Sequence, residues 1–152
     1  MSPNKWGPPI WRFFHCLTYN IKDEQFNIVG IRCLSIIKQI CRTLPCQICS
    51  NHAMQFLNKI NPNQIKSKND LINIIYIFHN YVNKTKNKPM FNVSDLSIYQ
   101  NSNIVDAYNN FVTAYQTRGN MKLMADSFSR SNTLKLVKQF ITVNANAFTY
   151  YR

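Results

Sequence analysis

Pro45-Cys46-Gln47-Ile48-Cys49 carries the most evident chemistry in this sequence. It sets two thiols three residues apart at the opening turn of a helix, where residues at that spacing lie about 5–6 Å apart. That is inside the roughly 4.4–6.8 Å between Cα atoms that a disulfide tolerates. Free N–H groups and the positive dipole end at a helix start stabilise a thiolate, so such a pair can cycle between dithiol and disulfide. Two other readings stand beside this one: half of a zinc site, or two packing cysteines. The zinc reading has a specific form, because Cys41, Cys46, Cys49 and His52 spell C-x4-C-x2-C-x2-H, an adequate tetrahedral set. The flanking segments read as stiff helices where zinc knuckles use loops, which favours redox.

Histidines and aromatics form a second group. His15 follows Trp11 by four residues, and His79, Asn80 and Asn83 lie in Tyr76-Ile77-Phe78-His79-Asn80-Tyr81-Val82-Asn83-Lys84. Singly these are ordinary polar residues. Together they supply what a large, flat, polar cofactor needs: rings to stack on, ring donors and amides for its edge, and lysines for a diphosphate.

Composition narrows the field further. The chain has 152 residues, the length of one domain, with 18 basic residues against 6 acidic ones for a net charge of +12. Glu24 is the sole glutamate, and the aspartates are 23, 70, 95, 106 and 126, so paired-carboxylate chemistry such as glycoside hydrolysis is disfavoured. Gly7, Gly30 and Gly119 are too far apart for a GxGxxG loop or a P-loop, which leaves side chains and helix ends to hold any nucleotide. Ten Phe and eight Tyr can build a real core. An odd count of five cysteines suits redox or metal chemistry better than a secreted disulfide scaffold. No stretch reads as a membrane span or a signal peptide, so a soluble, unsecreted protein without a membrane partner is expected. Lys66, Lys68, Lys84, Lys86 and Lys88 with Tyr76 and Tyr81 sketch a nucleic-acid surface. A solvated basic face explains them more simply, and no nucleic-acid partner is expected.

The elements that must position these groups read as helices throughout. Pro8 and Pro9 suit a helix start, with Trp11, Phe14 and His15 on one face of a helix from about Pro9 to Asn20. Val29, Cys33, Ile36, Ile37, Ile40 and Leu44 trace a second, ended by Pro45. A third starts near Cys46 and stops at Asn61-Pro62, and a fourth, capped by Asn69 or Asp70, spans Leu71 to Asn83. Further on, Ile104 to Tyr115 and Leu134 to Phe148 are periodic, with a polar stretch from Ser127 to Asn132 between them. The stripe Ile104, Tyr108, Phe111, Val112 and Tyr115 must be buried, on its own bundle or in a dimer interface. The expected fold is all-α: a four-helix bundle, with a core over residues 1–91 and a helical extension over 92–152.

Three blocks in order now resemble a known family. Trp6-Gly7-Pro8-Pro9-Ile10-Trp11-Arg12-Phe13-Phe14-His15, Pro45-Cys46-Gln47-Ile48-Cys49-Ser50-Asn51-His52, and His79-Asn80-Tyr81-Val82-Asn83-Lys84 with Lys88-Pro89 are similar to the signatures of the Erv/Alr flavin-linked sulfhydryl oxidases. The spacing is that of the short forms carried by large cytoplasmic DNA viruses. The resemblance covers about residues 5 to 91. It implies a bundle that holds FAD, oxidises protein dithiols to disulfides and passes electrons to oxygen to give hydrogen peroxide. It implies Cys49 as the flavin-proximal cysteine and Cys46 as the distal one that exchanges with substrate. The implied cofactor residues are Trp6, Gly7, Trp11, His15, His52, Tyr76, His79, Asn80, Val82, Asn83, Lys84 and Lys88, with no metal. The implied setting is the host cytoplasm at viral assembly sites and the virion, with a homodimer and a small thioredoxin-like carrier as partners.

The sequence also departs from that pattern. Cellular members tie the segment after the Lys-Pro by a further disulfide, yet no cysteine follows Cys49 here, and Val93 falls where its first cysteine would be. Tyr99 lies about where the family has an aromatic near the adenine. The family's shuttle cysteine pair has no counterpart. Cys33 and Cys41, eight helical residues and about 12 Å apart, cannot bridge and, with Cys16, are expected to pack. Substrate dithiols would then reach Cys46 directly.

Overall fold

The computed structural model describes residues 3–116 and 124–149, with side chains from residue 4 onward and, in the last helix, from residue 127. Parts of the expected 92–152 extension, residues 117–123 and 150–152, lie outside the described residues. Among the described residues every regular element is a helix, so the fold is all-α, and the one β-feature is an isolated bridge between Ile21 and Phe148.

Helix α1 runs Pro3–Tyr19 and begins earlier than expected, with Pro8 and Pro9 inside it. An interior proline removes an N–H and crowds the carbonyl four residues back, a local cost the chain accepts where Trp6, Ile10, Phe13, Phe14 and Leu17 are all buried. Helix α2 spans Phe26–Arg42 and buries Val29, Cys33, Ile37 and Ile40 on the expected stripe, together with Phe26, Leu34 and Cys41. A Cβ on Gly30 would meet the Phe26 ring at 2.3 Å, so glycine lets that ring lie across the helix. Helix α3, Gln47–Leu57, has Cys46 itself as its N-cap.

Helix α4 spans Lys68–Thr85. Its cap is Ser67, where the sequence pointed to Asn69 or Asp70: Ser67 Oγ accepts the Asp70 N–H at 3.1 Å, and Asp70 Oδ2 accepts the Lys66 N–H at 2.9 Å. Asp70 therefore supports the helix start from inside it. At the other end the N–H of Lys88 reaches the carbonyl of Asn83 at 2.8 Å, and that of Asn87 reaches Lys84 at 3.2 Å. With Asn87 at φ 55°, this is a Schellman turn that folds Lys88 back beside Lys86.

A 3-10 turn over Val93–Tyr99 leads to helix α5, Ile104–Tyr115, capped by Asn103. Its buried face, Ile104, Ala107, Phe111 and Tyr115, lies along α1, with Phe111 stacked on Phe13 at 4.6 Å. The α5 stripe is thus covered by the chain's own bundle. Helix α6 runs Met124–Val143, so the polar stretch Ser127–Asn132 is helix interior and not a connection. Arg130, Thr133, Leu134, Val137, Phe140 and Ile141 are its buried face. That spacing is helical, but its first two members are polar, which hid them from a hydropathy reading.

Candidate active site

Cys46 and Cys49 form a disulfide with Cα atoms 5.2 Å apart. Cys46 has extended backbone (φ −155°, ψ 113°), and its Sγ accepts the N–H of Cys49 at 3.2 Å. The sulfur thereby takes the capping role that an oxygen usually fills, in the place where a thiolate gains most from the helix end. Ile48, between the two, is 66% exposed. The cysteines are not equivalent: Cys49 lines a cavity and Cys46 does not.

That cavity is walled by Trp6, Gly7, Ile10, Trp11 and Phe14 of α1, Cys41 of α2 and Leu44 just after it, Ala53 of α3, Phe78 and Val82 of α4, and Lys86 at the C-cap of α4. A second cleft shares Gly7, Trp11, Val82 and Lys86 with it and continues to His79, Asn83, Lys88 and Tyr99. One continuous wall therefore runs from Cys49 of the disulfide, past aromatic residues, to Lys86 and Lys88.

The rings are fixed on each other. Trp11 stacks on His79 with centroids 4.1 Å apart and planes 9° apart, which leaves no space for a third ring between them. Behind them His15 Nε2 meets His79 Nδ1 at 2.9 Å, and His15 stacks on Tyr99 at 4.7 Å. Burial, then the neighbouring His79, lowers the His15 pKa to about 3. Burial, then the Lys88 charge, lowers that of His79 to about 4. Both imidazoles are neutral at pH 7, and one N–H lies between them.

Three features of the wall suit a flat anionic cofactor. The indole N–H of Trp6, a residue only 4% exposed, has no hydrogen-bond acceptor in the protein. A Cβ on Gly7 would meet nothing within 4 Å, so the wall is open there. Lys86 lies over the Trp6 ring at 5.7 Å, and its pKa is lowered by burial and by Lys88, a repulsion that a diphosphate between them would relieve.

Of the residues singled out in the sequence, Trp6, Gly7, Trp11, His79, Val82, Asn83 and Lys88 line these two cavities, and His15 sits directly behind. His52, Tyr76 and Lys84 do not line them. Asn80 is buried but engaged elsewhere: its Nδ2 donates to the Phe91 carbonyl at 2.9 Å, and its Oδ1 accepts the Phe91 N–H at 2.7 Å. This clamp holds Phe91 against the His15 and His79 rings. The lysine that reaches both cavities is Lys86. Helical spacing could have found it, since Lys86 stands four residues after Val82 on one face while Lys84 points away. Cys33 and Cys41 are fully buried, and burial pushes both thiols far above the usual cysteine range. Among the described residues no group of three or more His, Cys, Asp or Glu could hold a metal ion.

An all-α bundle with a CxxC disulfide opening onto an aromatic, lysine-ended cavity defines a helical redox module. The chain matches the Erv1/Alr family over residues 8–103 and belongs to that family. A FAD-linked sulfhydryl oxidase of African swine fever virus is 32% identical over 98 residues, 64% of this chain and 82% of the relative. Relatives from Invertebrate iridescent virus 6 (31% over 100 residues, 59% of this chain and 86% of the relative) and Fowlpox virus (35% over 78 residues, 51% and 73%) carry the same activity in their names. No solved structure matches the chain significantly. Among the described residues no helix is long and apolar enough to cross a membrane.

Proposed function

We propose that this protein is a FAD-linked thiol oxidase that makes disulfides in protein dithiols. The observation that carries the reading is Cys49 of the disulfide in the wall that ends at Lys86 and Lys88. Family membership and the viral relatives named for this activity support it.

A substrate thiolate attacks Sγ of Cys46, the Cys46–Cys49 bond breaks, and Cys49 leaves as a thiolate into the cavity. A second substrate thiolate then attacks the mixed disulfide, which releases the oxidised substrate and the Cys46 thiolate; the two substrate protons go to solvent. The Cys49 N–H and the α3 dipole hold charge on the Cys46 sulfur at that moment. FAD, when bound, supplies the two-electron acceptor that restores the Cys46–Cys49 disulfide and passes the pair to oxygen, giving hydrogen peroxide. Trp6 would give its free N–H to the cofactor, Trp11 and His79 an aromatic face, and Lys86 and Lys88 the charge for its diphosphate. His15 holds the His79 ring in place from behind. The substrate that reaches Cys46 would be a protein dithiol such as one on a small thioredoxin-like carrier. A homodimer, and work at viral assembly sites in the host cytoplasm, complete the reading by analogy with the family.

The visible spectrum of the purified protein tests it. A yellow protein whose flavin band bleaches under dithiothreitol without oxygen is expected. A colourless protein holding stoichiometric zinc would overturn the reading in favour of a zinc-stabilised binding module.

A further inference from the structure

The backbone that enters the disulfide is held from outside the family match. Helix α2 stops at Arg42, and Thr43 (φ −132°, ψ 48°) turns the chain out toward Pro45 and Cys46. Two side chains fix this short passage. Ser50, one turn into α3, accepts the N–H of Leu44 at 2.9 Å. Tyr115, the last residue of α5 and twelve positions beyond the matched region, places its hydroxyl against Thr43 Oγ1 and donates to the Ile40 carbonyl at 3.2 Å. With the phenol proton given to Ile40, the Thr43 hydroxyl donates to the phenol oxygen. The Ile40 carbonyl also takes the Thr43 N–H at 3.2 Å. The N–H and the hydroxyl of Thr43 are thereby tied to the same spot.

Tyr115 has little freedom to let go. Its side chain is fully buried, and its ring stacks on Phe111 at 5.2 Å, which in turn stacks on Phe13 of α1. Burial, with the bond to Thr43 working against it, pushes its pKa up to about 12, so the hydroxyl keeps its proton at working pH.

We propose that Tyr115 is a positioning residue for thiol–disulfide exchange: through Thr43 it sets where Cys46 Sγ stands relative to the Cys49 N–H and to an approaching thiolate. The proposal rests on Cys46 being the cysteine that substrate attacks. Thr43 is three residues from Cys46, and Pro45 stiffens the link, so a displacement at Thr43 is passed on to the sulfur. The exchange itself is unchanged in its balance: the substrate sulfur bonds to Cys46 Sγ as the bond to Cys49 Sγ breaks. What Tyr115 controls is the placement of the atom under attack.

Tyr115→Phe in the flavin-loaded protein tests this, because it keeps the ring and removes the hydroxyl alone. Three quantities are measured: kcat/KM for dithiothreitol, the equilibrium of the Cys46–Cys49 pair with glutathione by thiol labelling, and Tm. We expect kcat/KM to fall about tenfold, within the roughly 100-fold that a 1 Å misplacement costs, and the glutathione equilibrium to shift measurably. Thr43→Val should reproduce both changes, and the double variant should be no worse than either single one, since all three lose the same link. Wild-type kcat/KM and glutathione equilibrium in Tyr115→Phe, whatever its Tm, would overturn the proposal, as would losses that multiply in the double variant. Failure of the functional reading looks different: the unaltered protein fails to oxidise dithiothreitol, or Cys46→Ser keeps its full rate.

Discussion

Helices α4 and α6 are of similar length, 18 and 20 residues, and each lays one face on the bundle. On α4 the polar members of that face, His79 and Lys86, come at its C-terminal end and turn to the cavity. On α6 the buried polar members, Arg130 and Thr133, stand in the electrostatic reach of Tyr115. The same device, an amphipathic helix with polar residues in its apolar stripe, serves the cofactor wall in one case and the packing around the disulfide approach in the other. Helices α1–α4 hold the chemistry, and α5 and α6 hold the frame that the chemistry stands on.

The sharpest way to break that division is at the cysteines. Cys46→Ser or Cys49→Ser should cut dithiol oxidation by about 10³-fold or more, as loss of a nucleophile does, with an unchanged circular dichroism spectrum. Cys33→Ser should keep turnover. An active Cys46→Ser protein would remove the chemistry from α3 altogether.

Phe111→Ala probes the frame. Phe111 is fully buried between Phe13 and Tyr115, and losing it should cost about 3–5 kcal/mol in urea unfolding. A cost under about 1 kcal/mol would mean that α5 is an appendage and not a wall of the core.

Asn80→Ala removes both bonds to the Phe91 backbone and should cost about 1–3 kcal/mol. It should also loosen Phe91 from the His15 and His79 rings, measurable as faster flavin release. Lys86→Ala should weaken flavin retention by about tenfold, the scale of one charge-assisted contact, while Lys84→Ala should leave it unchanged. Equal effects of the two would undo the distinction between the cavity face and the solvent face of α4.

The histidine pair behind the cavity is tested by pH. His15 and His79 titrate below their unfolded value of 6.5, at about 3 and about 4. Between pH 6.5 and about 4 the unfolded chain binds protons that the folded one does not, so stability must fall as pH falls through that window. Thermal unfolding should show Tm dropping from pH 7 to pH 4, with a shallower drop in His15→Asn. An equal slope in that variant would show that the pair is not buried neutral.

Much of this was legible in the residues. The CxxC at a helix start, the Trp11 and His15 spacing on α1, and the α4 block were visible because catalytic groups need particular side chains at fixed intervals. The α5 stripe was visible for the same reason of period, though not what it covers. Three features were hidden. The Ser127–Asn132 stretch reads as a loop because its buried positions are polar, and Ser67 as a cap loses to Asp70 when only composition is weighed. Asn80 reads as a cofactor residue, and nothing in the sequence shows that its amide also closes on the Phe91 backbone, eleven residues away.

By itself, then, the sequence determined the helices, the working thiols and the class of cofactor, because those follow from local spacing and from the chemistry of single side chains. Only the tertiary structure decided that Phe111 of α5 stacks on Phe13 of α1 and that Tyr115 reaches across to Thr43. Each of those depends on the direction of a side chain after helices far apart in the chain have packed, and no local pattern carries that information.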